Sequence, residues 1–205
     1  MLALATLGCG IDDSVTEPNG PVTPSAGEEP ARDDAEGPPA MPEGPTPAAA
    51  ESATEDETAA RVELVRQLID DGMDINKADP EGRTPLMLAA FDGYTGVVEL
   101  LLDHGAEVDH ADGAGRTALM YASSGPFAPT VELLLARGAN VNQLDAVEGW
   151  SALMLAAAEG NQPVVELLLR SGADHQAVDK DGDMAVDHAR ERGQAGVVAL
   201  LESRS

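Results

Sequence analysis

The sequence predicts an all-α solenoid of stacked helix-turn-helix units with short β-hairpin loops, preceded by a disordered tail. Three observations predict it. Two series of glycines keep a fixed interval: Gly82, Gly115, Gly149 and Gly182 are 33, 34 and 33 apart, and Gly72, Gly105, Gly138 and Gly172 are 33, 33 and 34 apart. The string GRTPLMLAAFDG (82–93) returns as GRTALMYASSGP and as GWSALMLAAAEG. A second apolar string, VVELLL (97–102), recurs in kind after each. A fixed period of this length marks a stacked array, in which one unit cannot bury its own apolar face but neighbours bury it for one another.

Residues 1–9 open the chain with a short apolar run, MLALATLGC, that ends in the sole cysteine, Cys9. From 10 to 50 follows an acidic linker with nine prolines between Pro18 and Pro47. Its apolar residues are few and small, so it cannot bury enough surface to offset the entropy of ordering, and disorder is expected. A flexible coil of that length spans roughly 35–40 Å on average.

The repeat region runs from 51 to 205, as a cap (51–78), repeats at 79–111, 112–144 and 145–178, and a second cap (179–205). In the first cap Leu64, Val65, Leu68 and Ile69 match a second helix, and its first helix in AESATEDETAA is short, polar or absent. In each repeat, Asp79-Pro80-Glu81-Gly82 and its counterparts are turn chemistry. Thr84 caps a first helix and Pro85 suits its first position. Gly93 breaks the chain. A second helix ends near His104 or Arg137, where a positive group suits the helix dipole, and Gly105, Gly138 or Gly172 stops it. AEVDHAD and ANVNQLD then lead on as extended strands, the hairpin arms, into the next turn. Ser124-Gly125-Pro126 shortens the first helix of the second repeat. Arg190 to Arg192 give the last unit the polar outer face that a terminal repeat needs.

The residues that recur are those of a known pattern. Thr84-Pro85-Leu86-Met87-Leu88-Ala89, Thr117 to Ala122 and Ser151 to Ala156 resemble T-P-L-H-x-A of the ankyrin repeat. Val97–Asp109, Thr130–Asn142 and Val164–Gln176 resemble its second helix and the arm after it. A methionine stands where the family has histidine, so the hydrogen bond of that histidine is expected to be absent and the methionine to pack. The start of the chain resembles the end of a bacterial lipoprotein signal, which implies that Cys9 carries the lipid and anchors the protein. It departs from that pattern at Thr6 and Leu7 and in having no Lys or Arg before the apolar run.

Net charge is −25, from 37 acids and 12 bases. Residues 1–60 hold thirteen acids and one base (1 − 13, so −12), and 61–205 hold twenty-four acids and eleven bases (11 − 24, so −13). Both halves repel phosphates, and with 2% aromatics base stacking has little to work with, so no nucleic-acid partner is expected. A basic protein is the expected partner, steered in by the same field. No cofactor or metal is expected. One cysteine gives no internal disulfide and no thiolate metal site, and His104, His110, His175 and His188 share no ligand spacing on one helix. DKDGDMAVD (179–187) fails the calcium-loop order. Ser123 lacks the glycines of a nucleophile elbow, and no catalysis is expected.

What varies between copies is the expected contact surface. The resemblance implies protein binding through hairpin tips and first helices. The residue after the tip glycine is Arg83, Arg116, Trp150 and Asp183 in turn. Trp150 is either a contact anchor or packing against the adjacent tip. Phe91 and Asp92 end the first helix of the first repeat and offer a second anchor, with Glu81, Glu148, Glu159 and Asp181 as an acidic rim. The expected function is a monomeric, non-enzymatic interaction module, lipid-anchored in a bacterial envelope as a scaffold or adaptor. The alternatives are an acidic inhibitor or immunity-type protein that blocks a basic partner and, with Cys9 unmodified, a cytoplasmic adaptor.

Overall fold

A computed structural model describes the backbone of residues 55–204 and side chains from Thr58. The expectations for residues 1–54, including Cys9, lie outside the described residues.

Nine helices are present among the described residues: α1 (Glu55–Asp70), α2 (Pro85–Phe91), α3 (Thr95–Asp103), α4 (Ala118–Ser123), α5 (Ala128–Ala136), α6 (Ala152–Ala158), α7 (Gln162–Arg170), α8 (Ala185–Glu191) and α9 (Ala195–Glu202). They form two rows. The first helices α2, α4, α6 and α8 pack on one another in chain order, and α1, α3, α5, α7 and α9 do the same. Within each unit the two helices pack together.

Local chemistry sets the ends of each helix. Thr84, Thr117 and Ser151 are extended residues whose hydroxyls accept the N–H of Met87, Met120 and Met154. The second helices end at caps followed by Gly105, Gly138 and Gly172, whose φ values near +89° suit a residue without Cβ. His104 caps α3 by donating from Nδ1 to the Leu100 carbonyl at 2.8 Å. The helix α4 has six residues against seven in α2, as Ser124-Gly125-Pro126 predicts. Phe127 then fills the space over Gly93 of the preceding unit, where a Cβ would come within 2.3 Å of its ring.

The methionines need a correction. Met87, Met120 and Met154 are buried, but the sulfur does more than pack. The N–H of Thr84 donates to Met87 Sδ at 3.4 Å, and that of Ser151 to Met154 Sδ at 3.4 Å. A thioether is a weak acceptor, yet it answers an N–H that would otherwise be buried unpaired. In the last unit Asp187 accepts the same bond from Met184 at 3.1 Å.

One further expectation changes. The hairpin arms form no strands among the described residues, only single bridges, Leu144 with Ser151 and Val178 with Met184. In the N-terminal cap, where the first helix was expected to be short, polar or absent, no separate first helix lies among the described residues, and α1 runs unbroken for 16 residues, since EDETAARVELVRQLID contains no glycine or proline to stop it.

Candidate functional site

Each hairpin tip is built around one aspartate: Asp79, Asp112, Asp145 and Asp179. Its Oδ1 gathers the N–H groups of the turn. Asp79 accepts from Glu81 and Arg83, Asp112 from Ala114 and Arg116, Asp145 from Val147, Glu148 and Gly149, and Asp179 from Asp181 and Asp183. Successive tips are then laced by backbone bonds. Gly113 donates to the Glu81 carbonyl at 3.0 Å, Ala146 to Ala114 at 2.8 Å, and Lys180 to Glu148 at 3.0 Å. The approach is so close that a Cβ on Gly115 would lie 2.6 Å from the Ala146 nitrogen. The Lys180 ammonium adds bonds to the carbonyls of Ala146 and Val147. The tips form a continuous fixed row.

A second lacing runs along the arms. Asn76 donates to the Gly105 carbonyl and accepts from Glu107, and Asn142 does the same with Gly172 and Asp174. Asp109 stands between them in register and accepts from Asn140 at 2.8 Å. Sequence reading missed these roles, although the aspartates recur at 33, 33 and 34 and the signal was there.

The other oxygen of each tip aspartate meets an arginine in two units, a tyrosine in one and a histidine in one. Asp79 takes a two-pronged bond from Arg83, with Nε and a terminal nitrogen both at 2.8 Å. Burial works to raise the pKa of Asp79, but the Arg83 N–H and guanidinium outweigh it and hold it below the ordinary value. Asp112 accepts the Tyr121 hydroxyl at 2.7 Å, and burial first, with that bond second, lifts the phenol well above its usual range. Asp145 faces Arg116 of the preceding unit at 3.8 Å. Asp179 meets His188 Nε2 at 2.8 Å, both side chains buried.

These pairings decide where the expected contact residues lie. Glu81, Glu159 and Asp181 are exposed, and Arg83, Phe91, Asp92, Glu148 and Asp183 are half-buried. Two expectations are corrected. Arg116 is 7% exposed, drawn in by the buried Asp145. Trp150 is 6% exposed and lies on the His188 ring of the next unit, centroids 4.1 Å apart. Of its two readings, packing is the one the structure takes. Phe91 meets Tyr121 edge to face at 5.9 Å. Burial raises the pKa of the Asp92 carboxylate, with Arg61 opposing. Glu159 is 3.6 Å from Arg192 of the next unit. Tyr121 and His188 are core, and His175 sits half-buried at the core edge with Nε2 unbonded among the described residues.

Three apolar side chains stand out on the arms and tips of the second and third repeats: Leu144, Val147 and Val178, all exposed. Leu144 and Val178 occupy the same position in successive units. The acids Glu148 and Asp181 lie beside them in sequence. Among the described residues, no group of three or more His, Cys, Asp or Glu is placed to hold a metal ion, and no helix is long and apolar enough to cross a membrane.

A family model of ankyrin repeats, in three copies, matches residues 53–145 and 126–204. Among curated proteins none matches the chain.

Proposed function

From the premise that the chain belongs to the ankyrin-repeat family, we propose that it is a non-catalytic module that holds a basic protein partner against its row of hairpin tips. Ankyrin repeats indicate a protein–protein interaction module. The row of laced tips, with Leu144, Val147 and Val178 exposed beside Glu148 and Asp181 in sequence and Glu81 on the first tip, is the observation that carries the finer reading. An exposed apolar set with a charged rim suits a partner of opposite charge. The fixed tips would also lose little freedom on binding, which favours affinity.

The test is charge reversal at Glu81, Glu148 and Asp181 in one chain. Partner recovery after crosslinking in the native cell should fall about tenfold or more, and the salt dependence of association should flatten. The melting temperature should stay close to that of the unaltered protein. Undiminished recovery would refute the tip row as the contact. One dominant basic partner favours the inhibitor reading, and several favour a scaffold.

The second part of the proposal is location. Cys9 carries lipid, and the acidic linker after it holds the repeat domain off a bacterial envelope membrane. Several acyl chains on one residue would meet the requirement for stable anchoring. Tethering would raise the local concentration of a membrane-bound partner to about millimolar for a short flexible link. Full-length protein is expected in the membrane fraction and the Cys9→Ser variant in the soluble one. Equal partition of the two would refute the anchor.

A further inference from the structure

A groove of about 330 Å³ lies between α5 and α7, in the row of second helices. Four buried or half-buried apolar side chains line it, Leu135, Ala139, Val141 and Leu167, together with exposed Glu132 and Ser171. Its volume is at the low end of small-ligand sites, roughly 300–1,000 Å³, and suits one inserted side chain.

The repeat states what belongs there. One unit earlier the same positions hold Leu102, Ala106, Val108 and Leu133, with Glu99 in place of Glu132 and Arg137 in place of Ser171. Arg137 crosses back from the second repeat to two acids of the first. It donates to Asp103 at 2.8 Å and comes within 3.8 Å of Glu99. In the groove the acid is kept as Glu132, but Asp103 has become Ala136 and the arginine has become Ser171. From the first repeat to the C-terminal cap this position reads His104, Arg137, Ser171 and Arg204, so the third repeat alone has no basic nitrogen there. Among the described residues Glu132 has no ion pair.

We propose that the groove receives an arginine side chain of a partner protein, its guanidinium on Glu132 and its stem over Leu135, Val141 and Leu167. The chain already makes this contact internally, one unit away, with Arg137. A long basic side chain covers apolar surface with its stem while its head stays near water. The planar, weakly hydrated guanidinium fits a carboxylate better than an ammonium does. The net charge of −25 draws a basic segment towards the protein. The site is separate from the hairpin tips and stands whether or not the tips bind.

The probe is N-acetyl-arginine-N-methylamide, a single arginine side chain on a capped backbone. It is added up to about 50 mM, at constant ionic strength, to the full-length Cys9→Ser protein while amide shifts are followed by NMR. Shifts should centre on Leu135, Val141 and Leu167, with a dissociation constant of about 1–10 mM, a range fit for one side chain. The matching lysine compound should bind at least about threefold more weakly. Glu132→Gln should weaken the arginine probe about fivefold or more. Ser171→Arg, which restores the internal contact, should abolish the shifts. Arg137→Ser should do the reverse and open a second site at Leu102, Val108 and Leu133. The same spectra show whether each variant is folded, and all three changes are on surface residues. Shifts absent from the groove, or unaltered by Glu132→Gln, would overturn the proposal, as would an Arg137→Ser protein without the second site. Free arginine binding about tenfold more tightly than the capped compound would overturn a protein as the source of the side chain.

Discussion

Replacing Trp150 by alanine is expected to destabilise the protein by about 3–5 kcal/mol, the usual cost of emptying a large buried aromatic site. The side chain is buried and its ring lies 4.1 Å from that of His188. Removing it opens a cavity between the third and fourth units and uncovers the buried pair of His188 with Asp179. In a repeat protein such a loss falls mainly on one interface between neighbours. The last unit, α8 and α9, should therefore lose protection in amide hydrogen exchange before α2 and α4 do. Urea unfolding should start earlier and broaden as the last unit detaches. Partner affinity, measured where the variant remains folded, should change little. The opposite pattern, stability within about 0.5 kcal/mol of the parent together with lost partner binding, would restore Trp150 as a contact.

Much of this fold was legible because the repeat states it several times. The glycine interval, the capping Thr84, Thr117 and Ser151, and the apolar faces of the second helices are local signals that need no knowledge of neighbours. The tip residues are different. Arg83, Arg116, Trp150 and Asp183 share one register, and a sequence reading places all four on the same rim. The burial of Arg116 and Trp150 depends on a residue in the next unit. Arg83 turns to its own Asp79 and stays half-exposed, whereas Arg116 turns to Asp145 and Trp150 to His188. Pairing across a full period is set by stacking and has no local signature. The extended arms failed for a related reason. The tip aspartates and Asn76 and Asn142 take the backbone groups that strands would have used. The N-terminal end was half legible: the leucines of α1 were recognised as a second helix, but only the packed structure shows that, among the described residues, no first-row helix stands before α2.

Asp145→Ala is expected to cost about 3–5 kcal/mol, the range for breaking a buried pair by removing one partner. Two losses combine. The Asp145 carboxylate accepts the N–H groups of Val147, Glu148 and Gly149 at 3.1, 2.8 and 2.9 Å, so alanine leaves three turn donors without their acceptor. It also takes away the negative charge beside the Arg116 guanidinium, which is itself buried. Asp145→Asn separates the two. The amide oxygen can still accept from the turn, but the charge is gone, so its cost should fall between those of the parent and of alanine. Adding Arg116→Met to Asp145→Asn should then recover part of the loss, since a buried pair replaced on both sides by groups of similar size is often near neutral. Urea unfolding of the parent, Asp145→Asn, Arg116→Met and the double variant gives the cycle directly. Because the tip carries the row to which Gly115 and Lys180 are laced, a loose Asp145 turn should also weaken partner binding without touching any exposed acid. Equal stability of the alanine and asparagine variants would mean that the charge, and not the turn, governs this site. Parent-like stability of both would remove the aspartate from the account of how the tips are held.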